Sequence, residues 1–201
     1  MKPFIPALLA GALGILFFVP AFTQDARDAG GDDMAAMMAK AKRFTQPGGH
    51  HKELERFIGK WNTETRIFMA GQETPAEKGT AEFSWLMPDR WLKGESKGTL
   101  MGMPCDGFHV IGYDNFKQSF VATHVTNFDT AMNRCEGDMD PSGKALLMYG
   151  TIDEYLTGEN DKMVKLVWRF PSPDKLVMEI HDLPIGEQNT KVVEVVYTRA
   201  K

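Results

Sequence analysis

The chain has 201 residues and a mass of 22.5 kDa, and 43% of its residues are hydrophobic and 25% charged. This composition is typical of a globular protein with one or two domains, and it excludes a disordered protein and a multi-domain assembly. Two cysteines are too few for a disulfide-rich scaffold. The formal net charge of −4 supplies no basic surface, so nucleic acid is not an expected partner.

Residues 1–24 have the pattern of a secretory signal peptide. Lys2 supplies a positive charge before the apolar run Leu8–Val19, and small residues follow at a cleavage site near Ala21, with Gln24 as a second position. The apolar run is shorter than the roughly 17–25 residues that a membrane-spanning helix needs. We therefore expect a periplasmic or secreted protein with no stable membrane span after cleavage.

Residues 25–46 are predicted to be a polar linker that contains a short amphipathic helix. Asp32 and Asp33 suit the N-cap of this helix, and apolar side chains follow at helical spacing at Met34, Met37, Met38, Ala41 and Phe44. A second short helix is predicted from His50 to Ile58, with Gly59 as its C-terminal stop.

From Trp61 onward the hydrophobic period changes from 3.6 to 2, which indicates β-strands separated by turn residues. Short connections make neighbouring strands antiparallel, and a meander of this length avoids exposed edges by closing on itself. The predicted fold is therefore an all-β, antiparallel closed barrel preceded by one or two short N-terminal helices. About ten strands are predicted, near residues 60–69, 78–87, 90–99, 105–113, 118–127, 131–138, 144–153, 161–170, 174–181 and 190–199.

Two motifs lie at the two ends of the predicted barrel: Gly59-Lys60-Trp61 precedes the first strand and Tyr197-Thr198-Arg199 closes the last. These residues resemble those of the calycin group, the lipocalin-like and fatty-acid-binding-protein-like barrels. In that group an Arg often lies across the ring of the Trp. The resemblance implies that Arg199 covers Trp61 and joins the first strand to the last, with a cation–π contribution of about 0.5–2 kcal/mol.

Residues 47–201 contain a further set of motifs, which are Pro47-Gly48-Gly49-His50-His51, Leu54, Gly59, Trp61, Gly79, Gly102, Pro104, Gly107, Gly112-Tyr113-Asp114, Gly137, Gly143 and Tyr197-Thr198-Arg199. In this order they resemble, more closely than the calycins in general, the DUF1579 family, bacterial proteins of unknown function. Six residues are expected to be structural: Gly59, Trp61, Tyr113, Asp114, Tyr197 and Arg199. The segment His124-Val125-Thr126 departs from the family pattern, because many members carry a Trp-x-Asp type sequence there.

A barrel of about ten strands is wide enough that its side chains need not fill it. We expect an internal cavity that holds a small apolar or amphipathic ligand, which makes the chain an exported, non-catalytic binding protein. The alternative is a filled barrel that acts as a cell-envelope interaction module, with the helix Met34–Phe44 as its docking face. The residues expected to bind the ligand are Phe83, Trp85, Phe108, Phe120, His124 and Arg169.

A haem- or metal-binding barrel is a further alternative. His109 and His124 lie on adjacent predicted strands, with position 109 opposite 122 and diagonal to 124, so the two rings can share a face. Some calycin relatives bind haem through a single His. An inward Glu179 or Glu194 with a raised pKa would instead suit an isomerase or lyase. The sequence contains no Gly-x-Ser-x-Gly elbow and no His-Glu-x-x-His, and we expect no catalytic residue and no cofactor.

Cys105 and Cys135 have two interpretations in an exported protein. In an oxidising compartment they can form one disulfide, which closes a loop of about thirty residues and stabilises by roughly 3 kcal/mol. Their predicted strands are not immediate neighbours, however, and Cα atoms more than about 7 Å apart cannot be bridged. Two separate, half-buried thiols are the alternative.

Overall fold

The computed structural model describes residues 31–69, 72–154, 157–183 and 190–201. The predicted signal peptide, residues 1–24, lies outside the described residues, as does the start of the predicted linker. The chain divides into two compact units, residues 1–41 and residues 42–201.

Helix α1 spans Gly31–Thr45, so the helical spacing predicted for residues 34–44 is confirmed. Among the described residues, no helix has the length and apolar character needed to span a membrane.

The second predicted helix is present as two short pieces. Helix α2 (Gly49–Lys52) continues directly into a 3-10 helix (Glu53–Phe57), and we refer to residues 49–57 as the plug. Gly59 follows with a φ of +134°, a conformation that L side chains rarely adopt, so glycine at this position ends the helical path.

The described residues contain eleven strands, and each predicted strand is present with its ends shifted by at most a few residues. The short strand β2, which pairs only with the end of β1, is not predicted by the sequence pattern. The strands are β1 (Gly59–Met69), β2 (Gln72–Glu73), β3 (Glu77–Met87), β4 (Trp91–Leu100), β5 (Met103–Asp114), β6 (Ser119–Thr126), β7 (Asn133–Met139), β8 (Ala145–Glu154), β9 (Glu159–Ser172), β10 (Lys175–Asp182) and β11 (Thr190–Arg199).

The ten long strands form a closed antiparallel barrel, as predicted. Each of them pairs with its neighbours in the sequence, and β1 also pairs with β11. This closing pair runs from Trp61 opposite Arg199 to Ile67 opposite Val193. Closure pairs the outer strands of the meander with each other and so protects the backbone groups that an open sheet would leave exposed.

The contact between Trp61 and Arg199, implied by the resemblance to calycins, is present. The guanidinium carbon of Arg199 lies 4.2 Å from the centroid of the Trp61 ring, and its Nη1 donates a hydrogen bond to the carbonyl of Ile58. Trp61 Nε1 donates to the carbonyl of Phe57 at 2.9 Å. A Cβ at Gly59 would clash with the Arg199 guanidinium, so the missing side chain makes room for it. These contacts join the plug to the first and last strands.

Large side chains fill the end of the barrel next to the plug, which we call the filled end. Leu54 and Phe57 are 0% and 1% exposed. The Phe57 ring contacts the rings of Phe83, Trp168 and Phe170, with centroids 5.6, 5.0 and 5.3 Å away. Aromatic pairs at these distances add to the stabilisation from burial alone. The plug is therefore part of the core of the barrel.

Tyr113, Asp114 and Tyr197 have the structural surroundings expected for them. The Tyr113 ring stacks on His50 of the plug, with centroids 4.4 Å apart. The Asp114 carboxylate accepts hydrogen bonds from the backbone N–H groups of Phe116 and Lys117, which fixes the turn between β5 and β6. Tyr197 is buried in the core and is 3% exposed.

Candidate functional site

A cavity of about 250 Å³ lies inside the barrel. It is surrounded by the half of each strand that is farther from the plug, and we call this half the hollow end. Inward residues from all ten long strands contribute to its wall, and most of them are apolar or carry a hydroxyl group. Trp168, Met178 and Tyr197 form its floor and separate it from Phe83 in the filled end.

Three glycines on neighbouring strands help to keep the hollow end open. Gly79, Gly98 and Gly107 all line the cavity from β3, β4 and β5. A Cβ at Gly107 would lie 2.6 Å from Ser96 Oγ and 3.0 Å from His124 Nε2, which is too close for either contact. Gly107 therefore lets these two side chains pack against its backbone, and none of the three glycines sends a side chain into the cavity.

His109 and His124 lie directly opposite each other on β5 and β6. Their rings are stacked, with centroids 4.0 Å apart and planes inclined by 15°. The expected register, with 109 opposite 122, is wrong because the turn has four residues, Asn115–Gln118, and Asp114 pairs with Ser119. The expectation that the two rings share a face is confirmed.

Both imidazoles are held in their neutral form. Burial lowers the pKa of His109 well below its usual range, and the neighbouring His124 lowers it further. Burial also lowers the pKa of His124, and the carboxylate of Asp129 opposes this shift only in part. Each ring still exposes part of its surface, and both line the cavity. At neutral pH the pair therefore offers uncharged hydrogen-bonding groups to an occupant.

The indole N–H of Trp168 is a buried hydrogen-bond donor. Trp168 is 1% exposed, and its Nε1 has no hydrogen-bond partner among the described residues. An unsatisfied buried donor costs about 1–3 kcal/mol, so an acceptor from an occupant of the cavity would be stabilising here. The sequence analysis missed this residue, although its alternation with Leu166 and Phe170 was a signal for an inward position on β9.

The residues expected to bind a ligand are divided between different environments. His124 lines the cavity. Phe83 and Phe120 point inward but are packed in the filled end, at 2% and 1% exposure, and Trp85 packs against the same core. Phe108 lies on the outer face of β5, because inward and outward positions alternate and His109 is inward. These four aromatic residues do not line the cavity.

Arg169, Glu179 and Glu194 are on the outer face of the barrel. Arg169 forms an ion pair with Glu179 at 2.9 Å, and Lys191 lies near both carboxylates. Burial opposes ionisation of Glu179, but Arg169 and Lys191 outweigh it and the pKa is lowered. An inward acid with a raised pKa is therefore wrong for Glu179, and Arg169 does not reach the cavity. Apolar residues flank both glutamates on each side, so the alternation alone could not identify the inner face.

Cys105 and Cys135 are free thiols, which contradicts the possible disulfide. Both line the cavity, but β6 lies between their strands. Cys135 pairs with Ala122, and Ala122 pairs with Ile111 rather than with Cys105. The offset along β5 is roughly 20 Å at the usual rise of a strand, far beyond the reach of a disulfide. Burial raises the pKa of Cys135 to about 12, so its thiol is protonated at neutral pH.

The stacked histidines do not form a ligand set for a metal ion. Stacking turns the ring faces toward each other, so their nitrogen atoms do not converge on one point. Within the described ranges, no group of three or more His, Cys, Asp or Glu residues is arranged to hold a metal.

The fold and the cavity define a class of protein, a closed antiparallel β-barrel that is filled at one end and hollow at the other. The sequence profile of DUF1579, described as a protein of unknown function, matches residues 46–199. The chain belongs to this family.

Solved structures with the same fold include Rv2717c from M. tuberculosis, at 11% sequence identity and a TM-score of 0.55, covering 78% of this chain and 100% of that chain. The S-type phycobiliprotein lyase CPES from Guillardia theta is 10% identical with a TM-score of 0.52, covering 79% of this chain and 96% of that chain. At these identities the likeness is one of fold alone. No curated protein matches the chain in sequence.

Proposed function

We propose that the barrel binds a small apolar or amphipathic molecule in the hollow end and catalyses no reaction on it. The cavity is the observation that carries this proposal. Its volume of about 250 Å³ suits a small organic molecule, and its wall is mostly apolar, as in many ligand sites. The filled end keeps the barrel folded independently of what occupies the cavity.

The polar groups at the cavity support binding of a molecule that is not purely hydrocarbon. Trp168 lines the cavity and has an indole N–H without a partner in the described part of the chain, and His109 and His124 line it with neutral rings. In ligand sites a few polar groups of this kind orient the bound molecule within apolar surroundings.

Native mass spectrometry of residues 25–201, exported and purified without detergent, tests the proposal directly. We expect an additional mass that is retained on gentle ionisation. The variant Ala122→Phe places a ring in the cavity and should lose this mass. Val121→Phe is the matched control, because position 121 is the adjacent outward position on the same strand.

A bare polypeptide mass, together with no binding of added neutral apolar molecules, would contradict the proposal. That outcome would favour the filled-barrel interaction module, in which helix α1 contacts a partner. Binding that Ala122→Phe leaves unchanged would place the ligand somewhere other than this cavity.

The proposal also places the protein in the periplasm or outside the cell, because residues 1–24 carry the pattern of a signal peptide. Fusion of the full chain to alkaline phosphatase, which is active only after export, tests this. We expect activity from the full-length fusion and none after deletion of residues 1–24. Equal activity from both fusions would contradict export through this segment.

A further inference from the structure

Among the described residues, the inward positions that line the cavity itself carry no Asp, Glu, Lys or Arg. Lys162 and Asp182 hold inward positions farther along β9 and β10, where they form an ion pair with each other at 2.9 Å. Lys78, Lys97 and Arg134 lie beside the cavity, but each is adjacent in sequence to an inward residue and so belongs to the outer face, where all three are exposed. No charged side chain therefore lines the cavity from an inward position, and the inward charges of Lys162 and Asp182 are paired with each other. An ion that entered the cavity would lose hydration without meeting an opposite charge.

The ionisable groups that do line the cavity are also uncharged at neutral pH. Burial lowers the pKa of both histidines and raises that of both cysteines and of Tyr197. Every one of these shifts is toward the neutral form of the side chain. The surroundings consequently discriminate against anions and cations alike.

The hydrogen-bonding pattern at the floor adds a second requirement. Trp168 Nε1–H is a donor only, since an indole nitrogen has no lone pair to accept with. This N–H is buried and has no acceptor within the described part of the chain, and Trp168 forms part of the floor of the cavity. A hydrocarbon would leave this donor unsatisfied, whereas a carbonyl oxygen would accept from it.

We infer that the molecule held in the hollow end is uncharged and carries a carbonyl-type oxygen that accepts a hydrogen bond from the indole N–H of Trp168. This inference rests on the proposed function and narrows the class of ligand. Long-chain carboxylates and organic cations are excluded as occupants, and neutral ketones, esters and amides of matching size are favoured.

The requirement for neutrality is tested with two fluorescent probes that share one framework. N-phenyl-1-naphthylamine is neutral, and 1-anilinonaphthalene-8-sulfonate differs from it by a sulfonate. In fluorescence titrations at pH 7.5 we expect the neutral probe to bind about tenfold more tightly or better, because the sulfonate loses hydration on entry. The Ala122→Phe variant should abolish this binding, and Val121→Phe should preserve it.

The outcomes of this experiment separate the two proposals. Equal or tighter binding of the sulfonate at the same site would overturn the neutral-ligand inference and leave the binding function in place. Failure of both probes to bind would overturn both.

The requirement for an acceptor is tested with 6-propionyl-2-dimethylaminonaphthalene, whose ketone reports hydrogen bonding in its emission. We expect tighter binding to the native protein than for 2-dimethylaminonaphthalene, which lacks the ketone. Trp168→Phe should weaken binding of the ketone about fivefold or more and leave N-phenyl-1-naphthylamine unaffected.

The comparison in the native protein stands even if Trp168→Phe does not fold. Equal binding of the ketone and its parent amine would overturn the assignment of an acceptor to Trp168. The same conclusion would follow if the variant weakened the binding of the two neutral probes equally, since that result reflects lost volume rather than a lost hydrogen bond.

Discussion

The two ends of the barrel are built from the same ten strands with the same alternation, yet their interiors are opposite in character. At the filled end, inward positions hold residues such as Phe83, Leu92 and Phe120, each no more than 2% exposed. At the hollow end, the same strands hold Gly79, Gly107 and other inward residues around a cavity. Packing that stabilises the fold is thus separated from the space available to a ligand.

The plug accounts for much of this difference. Its aromatic and aliphatic side chains fill the end of the barrel that they enter, and burial of apolar surface contributes about 25 cal/mol per Å². No described element fills the hollow end in the same way. Because stabilising packing and ligand space lie at different ends, we expect mutations at the filled end to change the free energy of unfolding more than those at the hollow end.

The largest expected effect is at the filled end, for Phe57→Ala. Removal of this ring leaves a void against Phe83 and Trp168, and we expect the free energy of unfolding to fall by about 3–5 kcal/mol. Urea unfolding measures the change. Phe116→Ala is the control, because Phe116 is 73% exposed and should cost less than about 1 kcal/mol. Similar losses for both variants would refute the idea that the plug supports the core.

The difference between the two ends is tested further by adding one aromatic ring to the interior of each. Ala81 is 6% exposed within the core, and Ala81→Phe should cost about 2–3 kcal/mol through overpacking. Ala122→Phe enters existing space and should cost less than about 1 kcal/mol. Thermal unfolding of the two variants in parallel checks this. If Ala122→Phe is the more destabilising, the hollow end is not hollow in solution.

Arg199→Ala tests whether the contacts that close the barrel stabilise it, as the packing of the filled end does. It removes the contact with Trp61 and a hydrogen bond to Ile58, so we expect a loss of about 1–3 kcal/mol. Arg169→Ala removes only a partly exposed ion pair and should cost less than about 1 kcal/mol. An unchanged melting temperature for Arg199→Ala would show that the closure contact is not stabilising.

The smallest effect concerns the histidines of the hollow end. Their pKa is lowered in the folded state, so below about pH 6.5 the unfolded chain binds protons that the folded chain does not. The contribution of these histidines to stability should therefore be complete above pH 6.5 and decrease as the pH falls toward 5. The free energy of unfolding then falls with decreasing pH, and His109→Phe should reduce the slope of this dependence by at most the value for one proton, about 1.4 kcal/mol per pH unit.

His51 and His181 also have a lowered pKa, but they are present in both proteins and cancel in this comparison. The measurement is urea unfolding at pH 7.5, 6.5, 5.5 and 5.0. Identical slopes for the native protein and His109→Phe would mean that His109 is protonated equally in the folded and unfolded states.

The fold was largely predictable because strand alternation and turn residues are local signals. The ten long strands, the antiparallel order and the contact of Arg199 with Trp61 are all present in the structure. The candidate site was less predictable. His124 was identified as lining the cavity, whereas Phe108 and Arg169 were assigned to the wrong face, since both faces of these strands carry apolar side chains.

Other features of the site depend on relations between distant parts of the chain. The register of the two histidines depends on the length of one turn, which the residues at that turn do not determine uniquely. Phe83 lies beneath the cavity because the plug enters the barrel at the end where Phe83 is located. The sequence does not show which end that is. The lack of an acceptor for the Trp168 indole N–H, within the ranges that the structure describes, can be recognised only once the surroundings of this side chain are known.

The order of the strands also has a consequence for folding. Nearly every pairing joins strands that are consecutive in the sequence, and such hairpins close short loops at low entropic cost. The pairing of β1 with β11 instead joins the first strand to the last, with Trp61 opposite Arg199, and so brings together residues that are far apart in the sequence. Until that pair forms, the meander has two complementary free edges, and two copies of the chain can exchange them. We therefore expect the contact between Arg199 and Trp61 to disfavour domain swapping as well as unfolding.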